Sequence, residues 1–121
     1  MKVTRIILAL GSNNLQENNI AGAQEQLRML LPDIVFTRYM WTTPIGIVSD
    51  RFLNCMAKAT TTLSLTQLRK EIKTIEQSLG NKDHSTGIVN IDIDLLQYGS
   101  RKFKENDWER EYVRLLISEI I

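Results

Sequence analysis

Leu65, Leu68, Ile72, Ile75 and Leu79 recur at three- and four-residue spacing between two stretches with strand character, and this strand-helix-strand passage leaves few folds open to the chain. The helix is bounded by its own chemistry: Ser64 and Gln67 form a capping-box pattern at its start, and Gly80 follows its end. On one side of it lies Phe52 to Thr61, where Leu53, Cys55, Ala57 and Ala59 form an apolar set and Phe52, Asn54 and Lys58 fall on the other face. On the other side, within Ile88 to Tyr98, Ile91, Ile93 and Leu95 alternate with Asn90, Asp92 and Asp94.

A similar passage precedes it. Ile6 to Leu10 is a short apolar run ended by Gly11-Ser12-Asn13-Asn14, as a buried strand feeding a loop would be. From Ile20 the residues Ala23, Leu27, Leu30 and Leu31 keep helical spacing, with Asn18 and Asn19 as candidate N-caps and Pro32 after the end. Ile34 to Thr42 reads as a further strand, separated from Phe52 to Thr61 by a segment holding Pro44, Gly46 and Asp50. A last helix from about Asp107 sets Trp108, Tyr112, Leu115, Leu116 and Ile120 on one side. The order βαββαβ plus a C-terminal helix predicts an α+β, ferredoxin-like fold: a four-stranded antiparallel sheet with the first two helices on one face.

The 121 residues, 43% of them hydrophobic, suffice for a single core, so residues 1–121 are expected to form one domain. Fifteen Lys plus Arg against 14 Asp plus Glu leave almost no net field, which argues against nucleic-acid or membrane partners. An anionic ligand would have to be held locally. One cysteine, Cys55, precludes an internal disulfide framework and suits the reducing cytoplasm. The apolar run near the N-terminus is too short for a signal peptide, and no stretch approaches membrane-spanning length.

Side chains two apart on a strand share a face, so Asp92 and Asp94 project together, roughly 7 Å apart at their Cα atoms. Two carboxylates so placed repel one another, and Mg²⁺ would neutralise them while leaving coordination positions for phosphate oxygens. Taken alone, an Asp-x-Asp pair is also what an ordinary solvated strand face looks like.

Further segments join this pair in order: Ala9-Leu10-Gly11-Ser12-Asn13, Thr43-Pro44-Ile45-Gly46, Phe52-Leu53-Asn54, Ile75-Glu76, Leu79-Gly80, and the run from Ile91 to Gly99. Together they resemble the 6-hydroxymethyl-7,8-dihydropterin pyrophosphokinase family. The resemblance implies a Mg-dependent transfer of pyrophosphate from ATP to 6-hydroxymethyl-7,8-dihydropterin, a step of folate biosynthesis. Carried over residue by residue, it implies a pterin pocket with Thr43, Asn54 and Asp92 as polar contacts, with Pro44 and the backbone near Ile45 beside them, and with Phe52 and Tyr112 stacking on the ring. Asp92 and Asp94 would hold two Mg²⁺ ions on the ATP phosphates, and Arg110 aligns with a family arginine. The acceptor oxygen would attack the β-phosphorus in line, so the protein's work is positioning and charge neutralisation.

The sequence departs from the family pattern in phosphate-binding positions. Gly80 is followed by Asn81 where the family has arginine, Ile88 and Val89 stand in place of a Pro-Arg pair, and a Pro-His motif before the last helix has no counterpart. Lys82, Arg101, Lys102 and Lys104 are the available basic residues, although lysine does not reproduce bidentate arginine recognition. His84 reads as a loop residue, Trp41 as packing, Trp108 as a residue able to border a nucleotide, and Cys55 as inert core. The expectation is weakened pyrophosphokinase activity. The alternatives are a pterin-binding or regulatory homologue without transfer activity and a noncatalytic interaction module.

Overall fold

A computed structural model describes residues 2–44, 50–80 and 86–121, so Ile45, Gly46, Asn81, Lys82 and His84 lie outside the described residues. In chain order the elements are β1 (Thr4–Ser12), α1 (Gln16–Leu30), β2 (Val35–Phe36), β3 (Met40–Thr42), β4 (Phe52–Thr61), α2 (Leu65–Ser78), β5 (Asp92–Tyr98), β6 (Arg101–Lys102), α3 (Glu105–Trp108) and α4 (Glu111–Ile117). The strands form one antiparallel sheet in the order β2-β4-β1-β5-β6, with β3 also paired to β4. With β2 and β3 taken as two halves of one strand, β1 is central between β4 and β5, the expected ferredoxin-like arrangement.

The period-two reading of the strands holds. Leu53, Cys55, Ala57 and Ala59 from β4, Ile91 just before β5, and Ile93 and Leu95 within it join Leu8 and Leu10 of β1 against α1 and α2 in the main core. The opposite face carries a smaller core, in which Ile7, Ala9, Met56 and Leu96 are covered by Val113, Leu116 and Ile120. Its cover comes from α4 and the turn after it, so helices lie on both faces of the sheet. The second helix also starts as expected: Ser64 Oγ accepts from the Gln67 amide at 3.2 Å, and Gln67 Oε1 accepts from the Ser64 amide at 3.0 Å.

Six strands appear among the described residues where four were expected, and hydrogen bonding explains both additions. In the segment expected as one strand from Ile34 to Thr42, the Thr37 amide donates to Met56 O at 2.8 Å, while the Thr37 hydroxyl accepts from the Met56 amide at 2.9 Å. Pairing resumes at Met40 opposite Asn54, so the chain from Thr37 to Met40 spends one more residue than its partner does. This is a β-bulge, and it reverses which side chains face which side of the sheet. The other addition, β6, folds back on β5 through Gly99-Ser100, where Gly99 has φ 60°.

Both outer helices differ from the expectation at their starts. The first begins at Gln16, with Leu15 at φ 45° as its N-cap, and Asn19 is already inside it, its amide bonded to Leu15 O at 2.9 Å. The last helix is two pieces, because Arg110 is extended at φ −66°, ψ 139° between α3 and α4. Val113, Leu116 and Ile120 therefore make the buried stripe, and Leu115 is exposed rather than packed. Among the described residues no helix is long and apolar enough to cross a membrane.

Candidate functional site

The C-terminal end of β1 is the centre of a cleft because its last residues have no bulk. Gly11 pairs with Asn54 on β4 and with Asp92 on β5, which places these two neighbours on either side of a residue without a side chain. A Cβ at Gly11 would lie 3.1 Å from Asn54 Oδ1 and 3.6 Å from a Phe52 ring carbon, so a side chain there would crowd Asn54 and take space from the cleft floor. Around this floor stand Phe52, Asn54, Asp92, Asp94, Arg110 and Tyr112, lining a space of about 170 Å³. Six of the residues expected at the site are thus brought together by three separate elements.

Each wall has a local reason for its position. Asn54 is buried, and its amide nitrogen donates to Met40 O at 3.1 Å and Thr42 Oγ1 at 2.8 Å, leaving its carbonyl oxygen toward Gly11. The bulge between β2 and β3 is what presents Thr42 to Asn54. Thr42 is accordingly the threonine bonded to Asn54, and Thr42 and Thr43 both line a neighbouring depression of about 410 Å³ that shares Arg110 and Tyr112 with the cleft. Pro44 is half-buried and is not among the residues lining the cleft. Tyr112 comes from α4, and burial pushes its phenol above the ordinary range. The extended Arg110 turns back so that its guanidinium stacks 4.9 Å from the Tyr112 ring centre.

The aspartates are held by the edge of β5. Ile93, between them, donates its backbone amide to Glu76 Oε2 of α2 at 2.8 Å, on an edge where pairing to β6 begins only at Gln97. Upstream, Asn13 acts as a clamp: its side-chain amide donates to Gly87 O at 2.8 Å and its carbonyl accepts from the Val89 amide at 2.7 Å. Its backbone amide also donates to Val89 O at 3.0 Å. Consequently β5 starts at Asp92 rather than near Ile88. Asn90, expected on the face of the aspartates, instead joins Asn14 at 2.8 Å and Leu79 O at 3.3 Å, outside the cleft.

Of the basic residues considered from the sequence, Lys104 forms an ion pair with Asp94 and Arg110 lines the cleft beside both aspartates. The Lys104 Nζ lies 3.1 Å from Asp94 Oδ1, and the charge of Asp94 holds the ammonium pKa above its usual value. Arg101 lies over Phe103 at 5.1 Å and Lys102 over Trp108 at 4.6 Å. On the far side of β5, Lys104 and Asp94 border a groove of about 360 Å³ that also holds Arg69, Lys73 and Glu76. The sequence reading missed Arg69 and Lys73 and noted Glu76 only as part of a motif, although their spacing of four and three residues marks one face of α2 beside its buried stripe.

Other residues have structural duties. Trp108 donates its indole N–H to Phe103 O at 3.0 Å and packs against the smaller core, so it does not border the groove. Trp41 is 42% exposed with Arg51 5.0 Å from its ring centre, which corrects its reading as packing. Cys55 is fully buried, and burial pushes its thiol up to about 12.

The donor set fits magnesium better than a soft metal. Asp92 and Asp94 supply hard carboxylate oxygens facing the cleft, and among the described residues no three His, Cys, Asp or Glu side chains gather to make a closed protein site. Magnesium commonly takes one or two carboxylates and completes its shell with water and phosphate oxygens.

Comparison with known proteins places the chain in a family. A family model described as 7,8-dihydro-6-hydroxymethylpterin-pyrophosphokinase matches residues 7–121. The chain is 32% identical over 122 residues to the folate synthesis bifunctional protein, mitochondrial, of Arabidopsis thaliana, an alignment covering 89% of this chain and 22% of that protein. It is 36% identical over 80 residues to the folic acid synthesis protein FOL1 of Dictyostelium discoideum, covering 59% of this chain and 12% of that one. The chain therefore spans less than a quarter of either relative. By the match across nearly its whole length, the chain belongs to the 7,8-dihydro-6-hydroxymethylpterin-pyrophosphokinase family.

Proposed function

We propose that this protein transfers pyrophosphate from ATP to 6-hydroxymethyl-7,8-dihydropterin in folate biosynthesis, with two Mg²⁺ ions and at a rate below that of family members with the full set of arginines. The observation that carries the reading is the convergence of Phe52, Asn54, Asp92, Asp94, Arg110 and Tyr112 on the cleft floored by Gly11. Phe52 and Tyr112 suit a flat heteroaromatic ring, and Asn54 and Asp92 offer polar groups along its edge. The backbone near Ile45 is part of the same proposed pocket but lies outside the described residues.

Held by Asp92 and Asp94, Mg²⁺ would offset the charge of the phosphates and stabilise the negative charge that develops during transfer. The chain's own residues orient the reactants. Glu76 keeps the aspartate-bearing edge in place through the Ile93 amide, and Arg110, Lys104, Arg69 and Lys73 surround the metal side with positive charge. No protein nucleophile is required, since the pterin hydroxymethyl oxygen attacks the β-phosphorus in line and AMP leaves. Cytoplasmic location belongs to this proposal, although the plant relative is by its name mitochondrial.

The test is AMP formation by the native chain with Mg²⁺, ATP and the pterin. Slow, pterin-dependent release of AMP with formation of the pterin diphosphate is expected. Binding of both ligands without product would leave a pterin-binding homologue and refute the transferase reading. In the same preparation Phe52→Ala should weaken pterin binding at least about tenfold, as loss of a stacked ring does. Trp41→Ala, outside the cleft, should change it little, and equal losses in a fluorescence titration would remove Phe52 from the pocket.

A further inference from the structure

We propose that Lys104 is a built-in counter-cation of the aspartate pair: a divalent ion must displace it from Asp94, and on displacement it turns to the phosphates of the nucleotide that brings the metal. This rests on the reading of Asp92 and Asp94 as the metal ligands and adds a selection to it. The site would take Mg²⁺ together with a nucleotide in preference to Mg²⁺ alone.

The backbone delivers the ammonium from a fixed position. On one side of Lys104, the Phe103 amide donates to Leu96 O at 2.9 Å; on the other, Lys104 O accepts from the Asp107 amide at 2.8 Å. Lys104 itself sits at φ 51°, ψ 53°, as the turn that begins α3. From there Nζ reaches Asp94 Oδ1 at 3.1 Å, and Asp92 and Asp107 act on the same charge. An ammonium so close to a ligand oxygen occupies one of its lone pairs and repels an incoming cation.

The pair is nevertheless displaceable. Its side chains are 52% and 23% exposed, and partly solvated ion pairs of this kind are weak. Lys104 also borders the groove that contains Arg69 and Lys73, so the ammonium can exchange a carboxylate oxygen for a phosphate oxygen without leaving its surroundings. In the free protein Lys104 opposes metal binding, and in the nucleotide complex it supports it. A lysine in this position partly compensates for the residues at 81 and 89 that replace the family's arginines.

The test uses the whole chain and compares Lys104→Met, which keeps an unbranched side chain without the charge, with the native protein. Mn²⁺ binding without nucleotide, followed by electron paramagnetic resonance, should tighten about three- to tenfold on loss of the competing charge. Binding of a nonhydrolysable ATP analogue with Mg²⁺, followed by calorimetry, should weaken by a similar factor. Lys102→Met removes the same net charge but takes it from the Trp108 ring, and should leave both measurements unchanged. Lys104→Gln provides a second neutral variant should the methionine perturb folding. Unchanged Mn²⁺ affinity in the neutral Lys104 variants, or an equal gain in Lys102→Met, overturns the proposal. Loss of Mn²⁺ binding in Asp94→Asn alongside an unaffected Lys104→Met would overturn the counter-cation alone. Unaltered binding in Asp94→Asn would overturn the metal site and the counter-cation together.

Discussion

Asp92→Asn is expected to lower pterin-dependent AMP formation by about two to three orders of magnitude while the protein remains folded. Asp92 pairs with Gly11 at the cleft floor and faces both the proposed ring site and the proposed metal site. The substitution keeps the size of the side chain but removes a full negative charge from a position where charge neutralisation is the main chemical contribution, and losses of that kind typically cost a hundredfold to a thousandfold in rate. Asp94→Asn should lose as much. The fold should survive because the apolar partners on the helix-facing side, Ile91, Ile93 and Leu95, are untouched. An AMP assay paired with thermal denaturation decides the matter: activity within tenfold of native, from a folded variant, would exclude Asp92 from the reaction.

Gly11→Ala should lower pterin affinity by more than it lowers stability. Its methyl would stand 3.1 Å from Asn54 Oδ1 and 3.6 Å from the Phe52 ring, inside a cleft of about 170 Å³. Asn54 could yield only by disturbing its bonds to Met40 O and Thr42 Oγ1, and whatever space remained would be lost to the ligand. Overpacking of this kind costs about 1–3 kcal/mol, which borne by the complex is equivalent to roughly a five- to 150-fold loss in binding. Alanine is meanwhile the better strand residue, which limits the effect on the unliganded fold. Calorimetric titration with 6-hydroxymethylpterin reads the first effect and urea denaturation the second. Native-like affinity would show that the ring does not rest on Gly11.

Much of this site was legible from strand parity because alternation is a local property. Phe52 with Asn54, and Asp92 with Asp94, share a face whatever the rest of the chain does, and the apolar residues between them name the buried side. The capping of the second helix was legible for the same reason, since Ser64 and Gln67 need only each other. The start of the first helix was not, because Leu15 caps it through a left-handed backbone conformation and offers no side-chain bond.

The sequence by itself determined the order of the main strands and of the first two helices, the buried faces of β4, α2 and β5, and the placing of two carboxylates on one strand face, all of which follow from spacing within single elements. Only the tertiary structure decided that Thr42 rather than Thr43 meets Asn54. That choice depends on a bulge created by Thr37 bonding to Met56, 19 residues away. Only tertiary packing likewise set Glu76 against the Ile93 amide, brought Arg69 and Lys73 beside Asp94, and laid Lys104 against Asp94. These contacts join separate elements through hydrogen bonds and charges whose partners are fixed by how the sheet and helices pack, and no periodicity along the chain encodes them.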